Sequence, residues 1–244
     1  RKSKRIMSTV ITKFKGGSLN CTTLIEDGHH RYVRKSVSLI ENREYGFQRW
    51  YSQLKRLQRY NVLFPGLFPE LINYGILKNA AYLDIEYFEN GINAQKFVET
   101  TEDKQSISTF LSALLSAMSK MHATKIPSSK SAIDLYIHEE IEQRLKDSQK
   151  NSEFKTFLQY EYFIFNGKKV RSFIHNLNEY KDLCHSNYSN PIETFTHGNI
   201  TLENILYIPE NNRVIFIDPY EENIIDSGLA EFSQLLQSCN AKYE

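Results

Sequence analysis

Two short β-rich runs separated by five turn-forming residues constrain this chain more than any other feature. Ile205-Leu206-Tyr207-Ile208 and Val214-Ile215-Phe216-Ile217 flank Pro209-Glu210-Asn211-Asn212-Arg213, which has the length and composition of a hairpin loop. The runs are expected to pair antiparallel. Symmetric pairing about the loop sets Asn204 beside Asp218, so two oxygen-bearing side chains from the ends of the segment meet at one point.

Upstream, the hydrophobic period changes several times. Thr9–Phe14, Leu19–Ile25 and Arg31–Val37 read as three strands, separated by Gly16-Gly17-Ser18 and Asp27-Gly28. From Glu41 to Tyr60 the residues Phe47, Trp50, Leu54 and Leu57 recur at helical spacing. Leu71–Ile76 and Ala81–Phe88 read as two further strands. The fold class expected is α+β. A small N-terminal lobe over residues 1–89 carries an antiparallel sheet plus a helix, and a turn at Glu89-Asn90-Gly91 leads to a larger, mostly helical C-terminal lobe over residues 90–244. In that lobe Ile107, Phe110, Leu111, Leu114, Leu115, Met118 and Met121 mark one apolar helix face. Residues 134–146 and 151–165 are read as helical too.

Composition narrows the function classes. Lys and Arg number 30 against 29 Asp and Glu, so the chain lacks the overall basic footprint of a nucleic-acid binder. The run Arg1-Lys2-Ser3-Lys4-Arg5 reads as a solvated tail. The three cysteines, Cys21, Cys184 and Cys239, are widely spaced with no C-x-x-C pattern. They suggest neither a disulfide framework nor a zinc site, and a reducing, cytoplasmic setting is expected. No apolar run approaches the ~18 residues of a membrane helix. The chain opens on Arg1, which leaves its true N-terminus open, and oligomeric state is not readable.

The stretch Thr196-His197-Gly198-Asn199-Ile200-Thr201-Leu202-Glu203-Asn204-Ile205-Leu206, followed by Ile217-Asp218-Pro219, resembles the catalytic segment of the aminoglycoside phosphotransferases and choline kinases. These small-molecule kinases belong to the protein-kinase-like superfamily, and their pattern is H-G-D-x-x-x-x-N-x-L, then a hydrophobic strand ending in Asp. The resemblance implies a bilobal kinase-like fold and the cofactors ATP (or GTP) and Mg²⁺. It also implies phosphoryl transfer to a hydroxyl of a small molecule such as a sugar, amino sugar or amino alcohol. Hard oxygen ligands suit Mg²⁺, and by this resemblance Asp218 is the principal metal ligand and Asn204 the second. His197 is expected to brace the loop.

In the N-terminal half, Gly16-Gly17-Ser18 stands where the family's phosphate-covering loop belongs. Period-two alternation puts Val33, Lys35 and Val37 on one strand face. Lys35 between valines resembles the kinase lysine that holds the α- and β-phosphates, with Val33 roofing the base and Arg34 pointing out to solvent. Glu44 is the expected carboxylate partner of Lys35, and Glu41 the alternative. Glu86, Tyr87 and Phe88 resemble the hinge whose backbone meets the nucleobase. His122 is expected to be a helix-end residue.

Asn199 departs from the family, which has its catalytic aspartate at this position. A neutral amide cannot take a proton from an attacking hydroxyl. Three alternatives stay open: a slow enzyme that uses another carboxylate such as Glu203, a nucleotide-binding pseudokinase, or an introduced Asp→Asn change. Little chain follows Asp218, so either the acceptor pocket is minimal or the chain is truncated. The resemblance is thinnest over residues 126–190, the region expected to select the acceptor.

Overall fold

Alternation of β-branched and polar residues builds a five-stranded antiparallel sheet at the start of the chain. In the computed structural model, which describes residues 9–14, 20–41, 43–128, 132–188, 192–220 and 223–241, its strands are β1 (Thr9–Phe14), β2 (Asn20–Asp27), β3 (His30–Ser38), β4 (Leu71–Leu77) and β5 (Ala80–Glu86). They run in the order β1-β2-β3-β5-β4. Helix α1 (Arg43–Leu63) connects β3 to β4. Its buried Leu54, Leu57 and Tyr60 pack with Leu83 and Ile85 of β5, and the Trp50 indole N–H donates to the Tyr82 carbonyl at 3.0 Å. In its last turn Asn61 ties the helix to the start of β4 by donating to Pro69 O and accepting from Leu71 N.

The chain continues through β6 (Ile92–Asn93), α2 (Ala94–Thr100) and α3 (Lys104–His122). Asp103 caps α3 by accepting from the Gln105 and Ser106 amides, which offsets orphan donors of the first turn. The helix buries Phe110, Leu114, Ala117, Met118 and Met121, while Leu111 and Leu115 are exposed. The apolar stripe read from the sequence is therefore wider than the face that packs.

A stretch with its own packing follows: β7 (Ile126–Pro127), α4 (Ala132–Tyr136), a π-helical Ile137–Gln143, α5 (Arg144–Ser148), α6 (Ser152–Leu158), β8 (Tyr162–Phe165), β9 (Lys168–Arg171), α7 (Leu177–Asn187) and β10 (Ile192–Glu193). The helix expected over 151–165 ends at Leu158. Asn166 and Gly167 both take positive φ, 49° and 75°, which is the conformation of a tight hairpin turn. It folds Tyr162–Phe165 back on β9, and the aromatic run becomes a strand.

Last come β11 (Ile205–Ile208), β12 (Arg213–Phe216) and α8 (Gly228–Ala241). The hairpin read from the sequence is present, with Ile205 opposite Phe216 and Ile208 opposite Arg213. Asn212 turns the corner at φ 53°, and its side chain accepts from the Tyr207 hydroxyl at 2.8 Å. The fold is mixed α+β with an antiparallel sheet. It divides into two compact units: Arg1–Thr124, Phe195–Asn223 and Gly228–Glu244 form the first, and Lys125–Thr194 with Ile224–Ser227 the second. The turn at Glu89-Asn90-Gly91 lies inside the first unit, as do all the residues of the candidate site. No helix among the described residues is long and apolar enough to cross a membrane.

Candidate functional site

The first unit contains a cleft of about 1080 Å³ whose walls include Val33, Lys35, Val37, Glu86, Tyr87, Phe88, Asn199, Glu203, Asn204 and Asp218. Residues distant in sequence meet there because β3 and β5 supply one wall and the segment around the β11–β12 hairpin another. Val33, Lys35 and Val37 line the cleft together, as period two requires. Gly16, Gly17 and Ser18 lie outside the described residues.

Lys35 is 7% exposed, and its ammonium forms an ion pair with Oδ1 of Asp218. Burial pushes the Lys35 ammonium down to about 7, whereas the adjacent carboxylate favours the charged form. The same Oδ1 accepts a hydrogen bond from the Gln53 amide at 3.0 Å. Asp218 has φ 58°, in the left-handed region that non-glycine residues seldom occupy except under local constraint. Asp218 lies two residues past the end of the strand Arg213–Phe216, and its side chain is held by the two contacts on Oδ1.

The helix contact corrects the expected role of Glu44. Glu44 is exposed in the first turn of α1, and Lys35 pairs with Asp218 instead. Nine residues separate Glu44 from Gln53, which at 100° per residue puts them about 180° apart around the helix. Gln53, with Arg49 and Trp50, faces the cleft, so Glu44 faces away. Glu41, which precedes the helix, is exposed as well. Arg34 also departs from expectation. It makes a two-pronged ion pair with the buried Asp84 directly across the sheet, at 2.6 and 2.7 Å, and its guanidinium sits 4.5 Å from the Tyr82 ring centroid. A carboxylate 3% exposed is stable only with such a partner.

The register of the hairpin moves the second expected contact by one residue. Asn204 lies opposite Ile217, whose amide donates to the Asn204 carbonyl at 2.9 Å, and Asp218 is one position further on. Both side chains still line the cleft. The Asn204 amide donates to Asn199 O at 2.9 Å, which leaves its Oδ1 without a donor among the described residues. Oδ2 of Asp218 is likewise without one. Asn199 is exposed toward the cleft.

His197 is fully buried, stacked on Phe68 with ring centroids 6.3 Å apart. Its Nε2 lies 2.7 Å from Ile217 O, and its Nδ1 accepts from the Asn199 amide at 3.3 Å. A carbonyl only accepts and an amide N–H only donates, so these partners define a neutral imidazole protonated on Nε2. The ring ties the Asn199 loop to Ile217, the residue between the last strand and Asp218. Burial pushes His197 down to about 4. Its folded value lies below the ordinary 6.5, so its contribution is complete above pH 6.5 and is lost as pH falls toward 4. We expect a loss on the order of 3 kcal/mol across that window. Urea denaturation across that pH range checks this: His197→Gln should lack the corresponding slope, and an unchanged slope would contradict it.

A set of contacts not read from the sequence comes from α8. Glu231, 2% exposed, accepts from the His197 amide through Oε1 and pairs with Nε2 of His122 through Oε2. His122, in the last turn of α3, is thus a helix-end residue with a buried carboxylate partner. Gln234 accepts from Ile200 N and donates to Gly198 O, at 3.3 and 3.2 Å. Ser238 accepts from Leu202 N at 2.9 Å. One helix face therefore satisfies four backbone groups of residues 197–202, those of His197 N, Gly198 O, Ile200 N and Leu202 N. The signal available was that Glu231, Leu235 and Ser238 recur at i, i+4 and i+7, a core-facing stripe with two polar members.

The donor set suits a hard cation only in a restricted way. One carboxylate, Asp218, and the amide oxygen of Asn204 match the one or two protein ligands that Mg²⁺ usually takes alongside phosphate oxygens. Among the described residues no group of three or more His, Cys, Asp or Glu is placed to hold a metal by itself. Compared with known proteins, the chain matches no family model and no curated sequence.

Proposed function

We propose that the cleft binds a nucleoside triphosphate with Mg²⁺, and that the first unit corresponds to the nucleotide-binding core of a kinase-like phosphotransferase acting on a hydroxyl of a small molecule. The reading rests on one observation: Lys35, Asn199, Asn204 and Asp218, the residues carrying the sequence resemblance, line a single cleft although they come from opposite ends of the chain. About 1080 Å³ is room for a nucleotide, since ligand pockets commonly enclose about 300–1,000 Å³.

On this reading Lys35 holds the α- and β-phosphates and the backbone near Glu86, Tyr87 and Phe88 meets the base. Asp218 and Asn204 would hold the cation. Mg²⁺, when bound, neutralises phosphate charge during transfer. The Asn199 amide orients the acceptor hydroxyl but cannot remove its proton, so the general-base contribution of about 10²–10⁴-fold is missing. His197, neutral at working pH, keeps the Asn199 loop fixed against the segment leading to Asp218.

A pseudokinase that binds nucleotide without turnover is the second reading, favoured by the amide at Asn199, where a carboxylate would support catalysis. The deciding experiment pairs Mg²⁺-ATP binding with an ATPase assay over a panel of hydroxyl acceptors, on the parent chain and on Asn199→Asp. The phosphotransferase reading expects both proteins to bind and the variant to turn over at least about 10²-fold faster. Binding by both with no turnover by either would establish the pseudokinase instead.

A further inference from the structure

Lys35 and Asp218 are paired with each other, and Lys35 is buried. Charge at the centre of the cleft is therefore balanced before any ligand arrives. Gln53 adds a hydrogen bond to the same carboxylate oxygen and, being a neutral amide, offers Lys35 no alternative countercharge. Resting on the functional reading above, we propose that this pair is a latch that makes the nucleotide and the divalent cation bind only together.

The coupling is electrostatic. A polyphosphate that takes the Lys35 ammonium leaves the Asp218 carboxylate unpaired beside its own negative charge. A divalent cation at Oδ2 of Asp218 meets the ammonium already in contact with that carboxylate, and Lys35 cannot swing out to water. Each ligand alone thus separates a pair whose members are costly to leave unmatched in a partly desolvated site. Together the ligands exchange one balanced arrangement for another. By linkage the coupling is reciprocal, so each ligand tightens the other by the same factor.

The latch makes a prediction opposite in sign to a simple ligand role. Asp218→Asn removes the carboxylate that competes for Lys35, and Asn tolerates the left-handed backbone at this position. In EDTA, the variant should bind ATP at least about tenfold tighter than the parent, while losing the benefit of Mg²⁺. Lys35→Met, apolar and of similar length, should bind Mg²⁺ alone at least about tenfold tighter than the parent and lose ATP. Calorimetric titration of each protein with ATP in EDTA, with Mg²⁺ alone and with both reads all of these. A parent that binds Mg²⁺-ATP while Asp218→Asn binds metal-free ATP no better than the parent overturns the latch alone. A parent that binds ATP under none of these conditions overturns the functional reading and the latch with it.

Discussion

Replacing Glu231 by Leu is expected to destabilise the protein by about 3–5 kcal/mol, the cost typical of removing one member of a buried polar pair. The carboxylate is 2% exposed and serves two partners, the His197 amide and the His122 ring. Leu matches its bulk roughly and supplies neither acceptor, so the His197 N–H is left buried and unmatched, and His122 loses its partner. The substitution Glu231→Gln retains an oxygen for the amide and should cost about 1 kcal/mol. Urea denaturation of both variants checks this. Equal stability of the Leu and Gln forms would contradict the clamp between α8 and the loop.

Gly198→Ala is the second large effect, expected at about 2–4 kcal/mol. Gly198 has φ 84°, and a Cβ there would sit 2.5 Å from both Tyr220 O and Asn223 Nδ2. The backbone term alone is about 1 kcal/mol; the remainder comes from forcing apart two segments held by the hydrogen bond from Tyr220 N to His197 O at 2.8 Å. Gly167 separates the two terms. Its φ is 75° and a Cβ would meet nothing within 4 Å, so Gly167→Ala should show the backbone term only. Stabilities measured side by side decide it: comparable losses at the two glycines would mean that the close approach at Gly198 carries no cost.

The parts of this molecule legible in its sequence are those fixed by short-range patterns. The β11–β12 hairpin followed from turn chemistry at Pro209–Arg213, and the shared face of Val33, Lys35 and Val37 followed from the strand period. Where the reading failed, the missing information was a phase or a partner. The face of α1 depends on how it meets β5, and the Trp50–Tyr82 contact turns Gln53 rather than Glu44 into the cleft. The hairpin register is set by the 3₁₀ turn at Pro209–Asn211 and the left-handed Asn212, which shifted Asn204 by one residue. Arg34 was expected in solvent because its partner Asp84 lies 50 residues away in a strand whose other face is apolar. The polar positions on α8 serve a loop 34 to 36 residues upstream, beyond the reach of any short-range pattern.

The cleft proposed to take a nucleotide with Mg²⁺ has a built-in reporter. Trp50 is the single tryptophan of the chain and lines the cleft beside Gln53, so its fluorescence reports on occupancy there. Titration with Mg²⁺-ATP should give a saturable change whose dependence on Mg²⁺ is abolished in Asp218→Ala. No saturable change in a folded parent chain, or an unaltered titration in Asp218→Ala, would contradict the account.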